Sequence, residues 1–478
     1  MMGQQNEQRE LMLAPVNLFS VIPQDHVVRR LNKILDLGFV RKEVSGFYGP
    51  KGQEGVDPVV IMKMMLLLFL NDHKSERQLM REIPLRIDYL YFLGYELGEV
   101  IPNHSVLSKA RKRWGGEVFV SLFTRTVEQC LKAGLIDGRK LHMDGSLVRA
   151  DASLNSVVQI TLEKLDEEQT STKGFESADP QDLPKDKRPV NERFRVGTDP
   201  EATLVRHGKG KSLPSYKVHR GIDDKFGVIT AVETTTGAIA EADKLPDLLD
   251  LHQKLTGSKP KAVVGDTGYG TTQNFINMAQ AGIRSHMADL RLKQNNVRQA
   301  GIYHSDTFKY DPAQDRYKCK AGRYLTRHHY VKDRGYAEYR TQEGICSRCR
   351  LQHLCTRSKA GRTLKRYEHQ ELLDRARRES HGPAAKKDRQ KRKWLMEGNF
   401  GLGAVEHGMK RARWRGLNRQ RIQDLLICAI QNLKTLIRKG PCWLKLLLKG
   451  HGDYLHRLLR FYLPPKPILF CSTHLIKI

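Results

Sequence analysis

The chain has 478 residues, 39% of them hydrophobic, and its 82 Lys and Arg against 53 Asp and Glu leave a net charge of +29. That length exceeds one ordinary domain, and that charge points to a polyanion, because phosphate neutralisation supplies most non-specific nucleic-acid affinity. Membrane and secreted classes do not fit: the opening MMGQQNEQRE has no signal-peptide pattern, the most apolar run, Val59 to Leu70, contains Lys63 and is too short to span a bilayer, and eight cysteines are too few for a disulfide scaffold, so a cytoplasmic protein with no membrane contact is expected.

Residues 1–135 read as helical. Asp57-Pro58 opens a helix that runs through Leu70, and Ser75 suits the N-cap of the segment from Glu76 to Met80. Ser105 suits the N-cap of Val106 to Trp114, after the turn Pro102-Asn103-His104. That last helix collects Lys109, Arg111, Lys112 and Arg113 within little more than one turn. Such a cluster suits the DNA-contacting helix of a helix-turn-helix unit; a solvated basic face is the plain alternative.

From Gly138 the pattern becomes short strands. Lys140 to Asp144 alternates and ends at a turn, and Tyr216–Arg220 and Val228–Thr234 flank the hairpin turn Asp223–Gly227. Leu245 to Leu255 is an amphipathic helix, Lys261 to Gly265 a buried strand, Phe275 to Ala281 a short helix, and Ile283 to Met287 a further strand. This order predicts an α/β fold with a mixed sheet covered by helices. Glu163 to Lys211 interrupts it as a polar insert without its own core. Within that insert, Gly208-Lys209-Gly210-Lys211 lacks the spacing of a phosphate-binding loop. Residues 291–375 form a second, basic insertion. Helices follow from Asp388 to Phe400 and from Arg419 to Ile437, the latter with an apolar stripe through Ile422, Leu426, Ile430 and Leu433. The segment 441–478 has no assignment.

Three carboxylates stand out: Asp144 in HMDGS, Asp266 in VVGDTGYG and Glu397 in MEGNFG. Alone, each aspartate reads as a turn-former, and Glu397 as the partner of Lys393 one helical turn earlier, with Glu406 as a rival acid nearby. Together, two aspartates closing apolar strands and an acid on a helix suit two Mg2+ ions, the arrangement that cuts and joins phosphodiesters. Cys319, Cys346, Cys349 and Cys355 include a C-x-x-C and can close a structural Zn2+ site, with His353 as a spare ligand; reduced, unliganded thiols are the alternative. A basic insert lacking an apolar core would gain most from such a metal. Lys410, Arg411, Arg413, Trp414 and Arg415 interleave charge with an aromatic, a pattern that suits DNA backbone and an exposed base as well as it suits a solvated turn. His142, His219 and His286 read as core or supporting residues.

The phrases MDGSLVRADAS, GDTGYGT and MEGNFGLGAVEHGMKRARWRGLNRQRIQDLLICAIQNLKTL, in this order, resemble the bacterial insertion-sequence transposases with an RNase H-like DDE core. IPNHSVLSKARKRW is similar to their helical DNA-binding region, and the likeness extends from about Val21 to Leu436. It implies a helical DNA-binding region over 1–135, an RNase H-like catalytic domain over 136–290 with the polar insert 163–211, the cysteine-containing insertion 291–375, and catalytic-domain helices over 376–440. It implies Asp144, Asp266 and Glu397 as the catalytic acids, two Mg2+ ions, cut-and-paste transposition between terminal inverted repeats and target DNA, a homodimer on DNA, and a place in the bacterial nucleoid. Among DNA contacts it adds Lys393. A Lys that many such proteins carry two turns after the glutamate is replaced here by Ala404-Val405, leaving Lys410 or Arg411 to stand in. An RNase H-like nuclease without strand transfer, and a DNA-binding relic that only occupies repeat ends, are the competing readings.

Overall fold

A computed structural model describes residues 17–49, 55–159, 188–206, 208, 210–290 and 301–441. The chain divides into two compact units: Ile136–Cys428, and the residues up to Leu135 together with those from Ala429 onward. The last helix is therefore shared between them, where the sequence had grouped all of it with the catalytic helices.

The N-terminal unit is helical. Its central helix α1 (Pro58–Leu70) starts where Asp57 accepts the Val59 amide at 2.9 Å, with Pro58 filling the first position, which needs no donor. From Met64 to Leu70 it is buried on every side. Lys63, which breaks the apolar run, is satisfied by Asn32 Oδ1 (2.9 Å) and the Phe92 carbonyl (2.7 Å). Ser75 caps Glu76–Glu82 by accepting from Gln78 N. Ser105 does not cap α2 (Ser105–Trp114): it is the first helical residue, and Asn103 Oδ1 takes its amide at 2.9 Å instead. Helix α3 (Glu117–Lys132) also belongs to this unit, with the Cys130 thiol buried 3.7 Å from the Asn432 carbonyl. No helix among the described residues is long and apolar enough to cross a membrane.

The second unit is built on a mixed sheet. Its strands are β1 (Lys140–Arg149), β4 (Thr203–Arg206), β5 (Ser212–Asp223), β6 (Ile229–Thr236), β7 (Ala262–Val264) and β8 (Arg284–Ser285), while β2 (Val157–Gln159) and β3 (Phe194–Val196) pair separately. The spatial order is β6-β5-β1-β7-β8, with β4 also on β5; β5 runs antiparallel to β1 and β6, and β7 parallel to β1 and β8. Helix α4 (Leu245–Thr256) links β6 to β7 and α5 (Thr272–Gln280) links β7 to β8. This is the RNase H-like arrangement expected from the motifs. Leu141, Met143, Leu245, Leu248, Val263 and Phe275 pack beneath it.

One sequence expectation changes. Strand β1 does not end at Asp144 but continues to Arg149, because β5 partners it as far as Ser215 while β7 covers only Lys140–His142. The polar insert also has more structure than expected. Beyond 160–187, which lie outside the described residues, Asp199 accepts from Tyr216 Oη (2.6 Å), and Glu201 accepts the Leu417 amide (2.9 Å) at the start of the last helix.

The cysteine insertion is a second sheet, β13-β12-β11-β10-β9, antiparallel throughout. Its strands are β9 (Lys309–Asp311), β10 (Arg316–Lys318), β11 (Tyr324–Val331), β12 (Tyr336–Arg340) and β13 (Leu364–Tyr367). It has a core of its own, formed by Phe308, Tyr317, Leu325, Ala337, Tyr339 and Leu364, where the sequence suggested none. The core is carried by tyrosines set between charged residues, so it left little apolar pattern. Three helices follow: α6 (Gln370–His381), α7 (Pro383–His407) and α8 (Leu417–Lys439). Helix α8 is buried all round from Ile422 to Leu433 rather than along one stripe.

Asp424 on α8 accepts from Thr234 Oγ1 (2.7 Å) and Gln420 (3.0 Å) in a fully enclosed position. Burial pushes its carboxyl up to about 6 against the opposing pull of Thr234 and Arg220. A folded-state value above the unfolded one adds stability that is full below pH about 4 and is lost as pH rises through about 6. Thermal melts should therefore show Asp424→Asn more stable than the wild type at pH 8, with the gain vanishing near pH 4.

Candidate active site

The register of β7 on β1 assembles the site. His142 lies opposite Val264 on neighbouring parallel strands. Asp144 and Asp266 each come two residues later, so side-chain alternation turns both to the same side, with strands about 4.8 Å apart. Glu241, on the turn Glu241–Lys244 that follows β6, reaches the same place. One carboxylate oxygen from each of Asp144, Glu241 and Asp266 lies within 4.8 Å of the other two, and this is the one such group of acids, histidines or cysteines among the described residues.

Little else neutralises this charge. Arg392 Nη1 on α7 donates to Asp144 Oδ2 at 2.7 Å, while the Gly145 and Gly268 amides donate to Asp144 (2.9 Å) and Asp266 (2.8 Å). Burial, opposed by Arg392 and reinforced by Asp266, holds the Asp144 carboxyl above its ordinary range; burial and then Asp266 do the same to Glu241. Hard carboxylate oxygens converging without a full set of cations are the donors that Mg2+ and similar divalent ions take, so the residues fit a metal.

Glu397 is not brought to this group. It is exposed on α7, and the turn of that helix is set by polar anchors on its sheet-facing side. Asp388 binds Lys140 (2.8 Å) and His286 (2.7 Å), Lys391 binds Asp224 (2.8 Å), Arg392 binds Asp144, and Asn399 accepts from the buried Arg220 (2.6 Å). At 100° per residue Glu397 stands roughly 140° round from Arg392. Lys393 is exposed too, with no ion pair to Glu397. Glu406, the rival acid, lies outside the group as well, 3.8 Å from His407. Glu241 escaped the sequence reading because Glu241, Asp243 and Asp247 look like ordinary acids at a helix start. The glycines of HMDGS and GDTGYG were the available sign, since they open space beside the aspartates for a third side chain.

The histidines support rather than react. His142 is buried against Asp224 (2.6 Å) and His219 against Thr235 (3.0 Å), where burial lowers His219 to about 3. Lys410 Nζ donates to Ser146 Oγ at 2.5 Å, two residues beyond Asp144 on the same side of β1. Backbone bonds between Arg149 and the Lys410–Ala412 segment keep it there. Arg411 and Arg415 are exposed beside Asp151 (3.6 and 3.7 Å), whereas Arg413 and Trp414 are half-buried. On α2, Lys109, Lys112 and Arg113 are exposed, with Arg113 over the Tyr48 ring. Arg111 is not available to DNA: it is buried in an ion pair with Glu76.

Cys319, Cys346, Cys349 and Cys355 line one pocket in the insertion, beside Phe308 and Leu325. Burial raises the Cys355 thiol, Arg362 opposes this, and the other three cysteines add to it. No three of their sulfurs lie mutually within 4.8 Å, the spacing that the acid oxygens meet. His353 is exposed and is not part of the pocket lining.

An RNase H-like sheet carrying a carboxylate cluster on β1 and just past the end of the parallel strand β7 defines a DDE-type phosphodiester-processing enzyme. Residues 16–113 match a family described as "Transposase domain (DUF772)" and residues 318–437 one described as "Transposase DDE domain". The chain is a DDE-type transposase. No curated protein matches it. A piggyBac transposase chain from a synaptic complex with hairpin DNA is similar at 10% identity and a TM-score of 0.31, over 92% of this chain and 82% of that one, too distant a likeness to bear on the site.

The four basic residues of α2 should separate by stability. Arg111→Ala leaves Glu76 nearly buried without its cation and should cost about 3 kcal/mol, measured by denaturant unfolding, while Lys112→Ala should leave the midpoint unchanged.

Proposed function

We propose that this transposase binds the terminal inverted repeats of its own element and catalyses Mg2+-dependent cleavage and strand transfer. The observation that carries this reading is the meeting of Asp144, midway along β1, with Asp266, just past the end of the parallel strand β7, in a chain of net charge +29. When bound there, divalent cations supply the charge that activates a water nucleophile and stabilises a leaving 3′ oxygen.

The chain's own groups position the reactants. Asp144 and Asp266 hold the cations, and Arg392 offsets the Asp144 charge. Glu397, the acid the motif assigns to the third position, is exposed on α7 outside this group, and the reading requires it to join the two aspartates when DNA is bound. Lys410, held beside Asp144 by Ser146, offers its ammonium to a DNA phosphate in place of the family lysine missing at Ala404. Water adds at the phosphorus, the bond to the 3′ oxygen breaks, and the element end leaves as a free 3′-OH. That hydroxyl then attacks a target phosphodiester, so one bond forms as another breaks and no outside energy source is needed. Exposed Lys109, Lys112 and Arg113 in the helical unit, and Lys393, Arg411 and Arg415 in the sheet-containing unit, each offer cations to the duplex. Two ends held at once call for a homodimer on DNA.

Labelled element-end DNA, a target plasmid and Mg2+ test the reading together. Joined product is expected from the wild type; cleavage alone would indicate a nuclease, and binding alone a relic. Asp266→Asn should abolish cutting and joining while retaining DNA binding. Lys410→Ala should weaken substrate capture and slow both steps without abolishing them.

The four cysteines of the insertion take a structural Zn2+ on the same reading. Thiolates suit zinc, and these four surround one pocket on a small domain. Metal analysis of the purified protein should find one zinc per chain, and Cys349→Ser should remove it and lower the melting temperature. Protein purified without bound zinc would exclude the site.

A further inference from the structure

Glu241 has no role in the motifs, yet its surroundings are built around its carboxylate. It is half-buried and faces Asp144 and Asp266, with no hydrogen bond or ion pair of its own among the described residues. Two glycines make room for it. A Cβ at Gly145 would stand 2.7 Å from Glu241 Oε1, and one at Gly268 would stand 2.8 Å from Glu241 Oε2 and 3.0 Å from Asp266 Oδ1. Both glycines belong to the segments that carry the aspartates, so the third acid and the backbone near the first two are shaped to one another.

A second, independent observation points to a ligand. The Tyr269 side chain is fully buried, and its hydroxyl has no hydrogen-bond partner. That hydroxyl feels the charge of Glu241, Asp144 and Asp266 together. A buried hydroxyl without a partner costs free energy, and so does an unpaired carboxylate facing two others. A bound cation with its water shell answers both, by neutralising the acids and giving the hydroxyl a water to bond.

Resting on the DDE reading above, we propose that Glu241 is a ligand of the divalent cation held by Asp144 and Asp266. The DNA-free protein thus takes its third carboxylate from the turn after β6, and not from α7, where the anchors turn Glu397 to solvent.

Calorimetric titration of Mn2+ into the full chain without DNA tests this. Glu241→Gln and Asp266→Asn should each weaken binding at least about tenfold, and Glu397→Gln should leave it unchanged. Gly145→Ala, which keeps every charge but crowds the Glu241 side chain, should weaken it too. In the absence of metal, Glu241→Gln should melt above the wild type, since one of three repelling carboxylates is gone, and Mn2+ should raise its melting temperature less. Wild-type affinity in Glu241→Gln alongside loss in Asp266→Asn would overturn the proposal and leave the DDE reading standing. Wild-type affinity in both variants would overturn the two together.

Discussion

The site depends on a repulsion that the fold maintains. Three carboxylates are gathered from β1, the turn after β6 and the residues following β7, with one guanidinium, Arg392, against one of them. Burial and the neighbouring carboxylates raise the proton affinity of Asp144 and Glu241, and the cost of holding these charges together falls on the fold. The sheet keeps it because the register of β7 on β1 leaves Asp144 and Asp266 nowhere else to go: each lies two residues past the pair His142–Val264 and on the same side. Strand pairing and the apolar packing of Leu141, Met143 and Val263 beneath outweigh the local cost. The stored repulsion becomes affinity for a doubly charged ion.

Helix α7 shows how the surroundings of such a site are set by buried polar contacts. Asp388, Lys391, Arg392 and Asn399 each bind a group on or next to the sheet, and Arg220, wholly buried, lies over the Phe400 ring. Leaving any of these charges unmatched inside the protein would be costly, so together they fix which face of the helix meets the site. The same contacts that bring Arg392 to Asp144 turn Glu397, Trp394 and Val405 outward. The outcome is a helix whose functional face in this state is cationic.

The positive charge of the chain divides between two tasks. Arg111, Arg220 and Arg377 are buried and hold elements together; Arg377, for example, binds Asp289 at 3.2 Å. Lys109, Lys112, Arg113 and Lys393 are exposed and available to a polyanion. Composition counts these alike. Only burial separates a guanidinium that neutralises a neighbour from one that can release counterions on meeting DNA.

Much of this protein was legible in its sequence. Alternation and helical spacing placed the hairpin around Asp223–Gly227, the helix from Leu245 and the strand ending at Val264, because these patterns follow from local geometry. The motifs around Asp144 and Asp266 named the two aspartates that meet. Long-range pairing decided what local pattern could not. It extended β1 beyond Asp144 along β5, drew Glu241 into the site from a turn with no signal of its own, buried Arg111 on Glu76, and rotated Glu397 away. Each of these outcomes depends on which distant residue lies alongside, and a linear chain carries that only through the free energy of the whole fold.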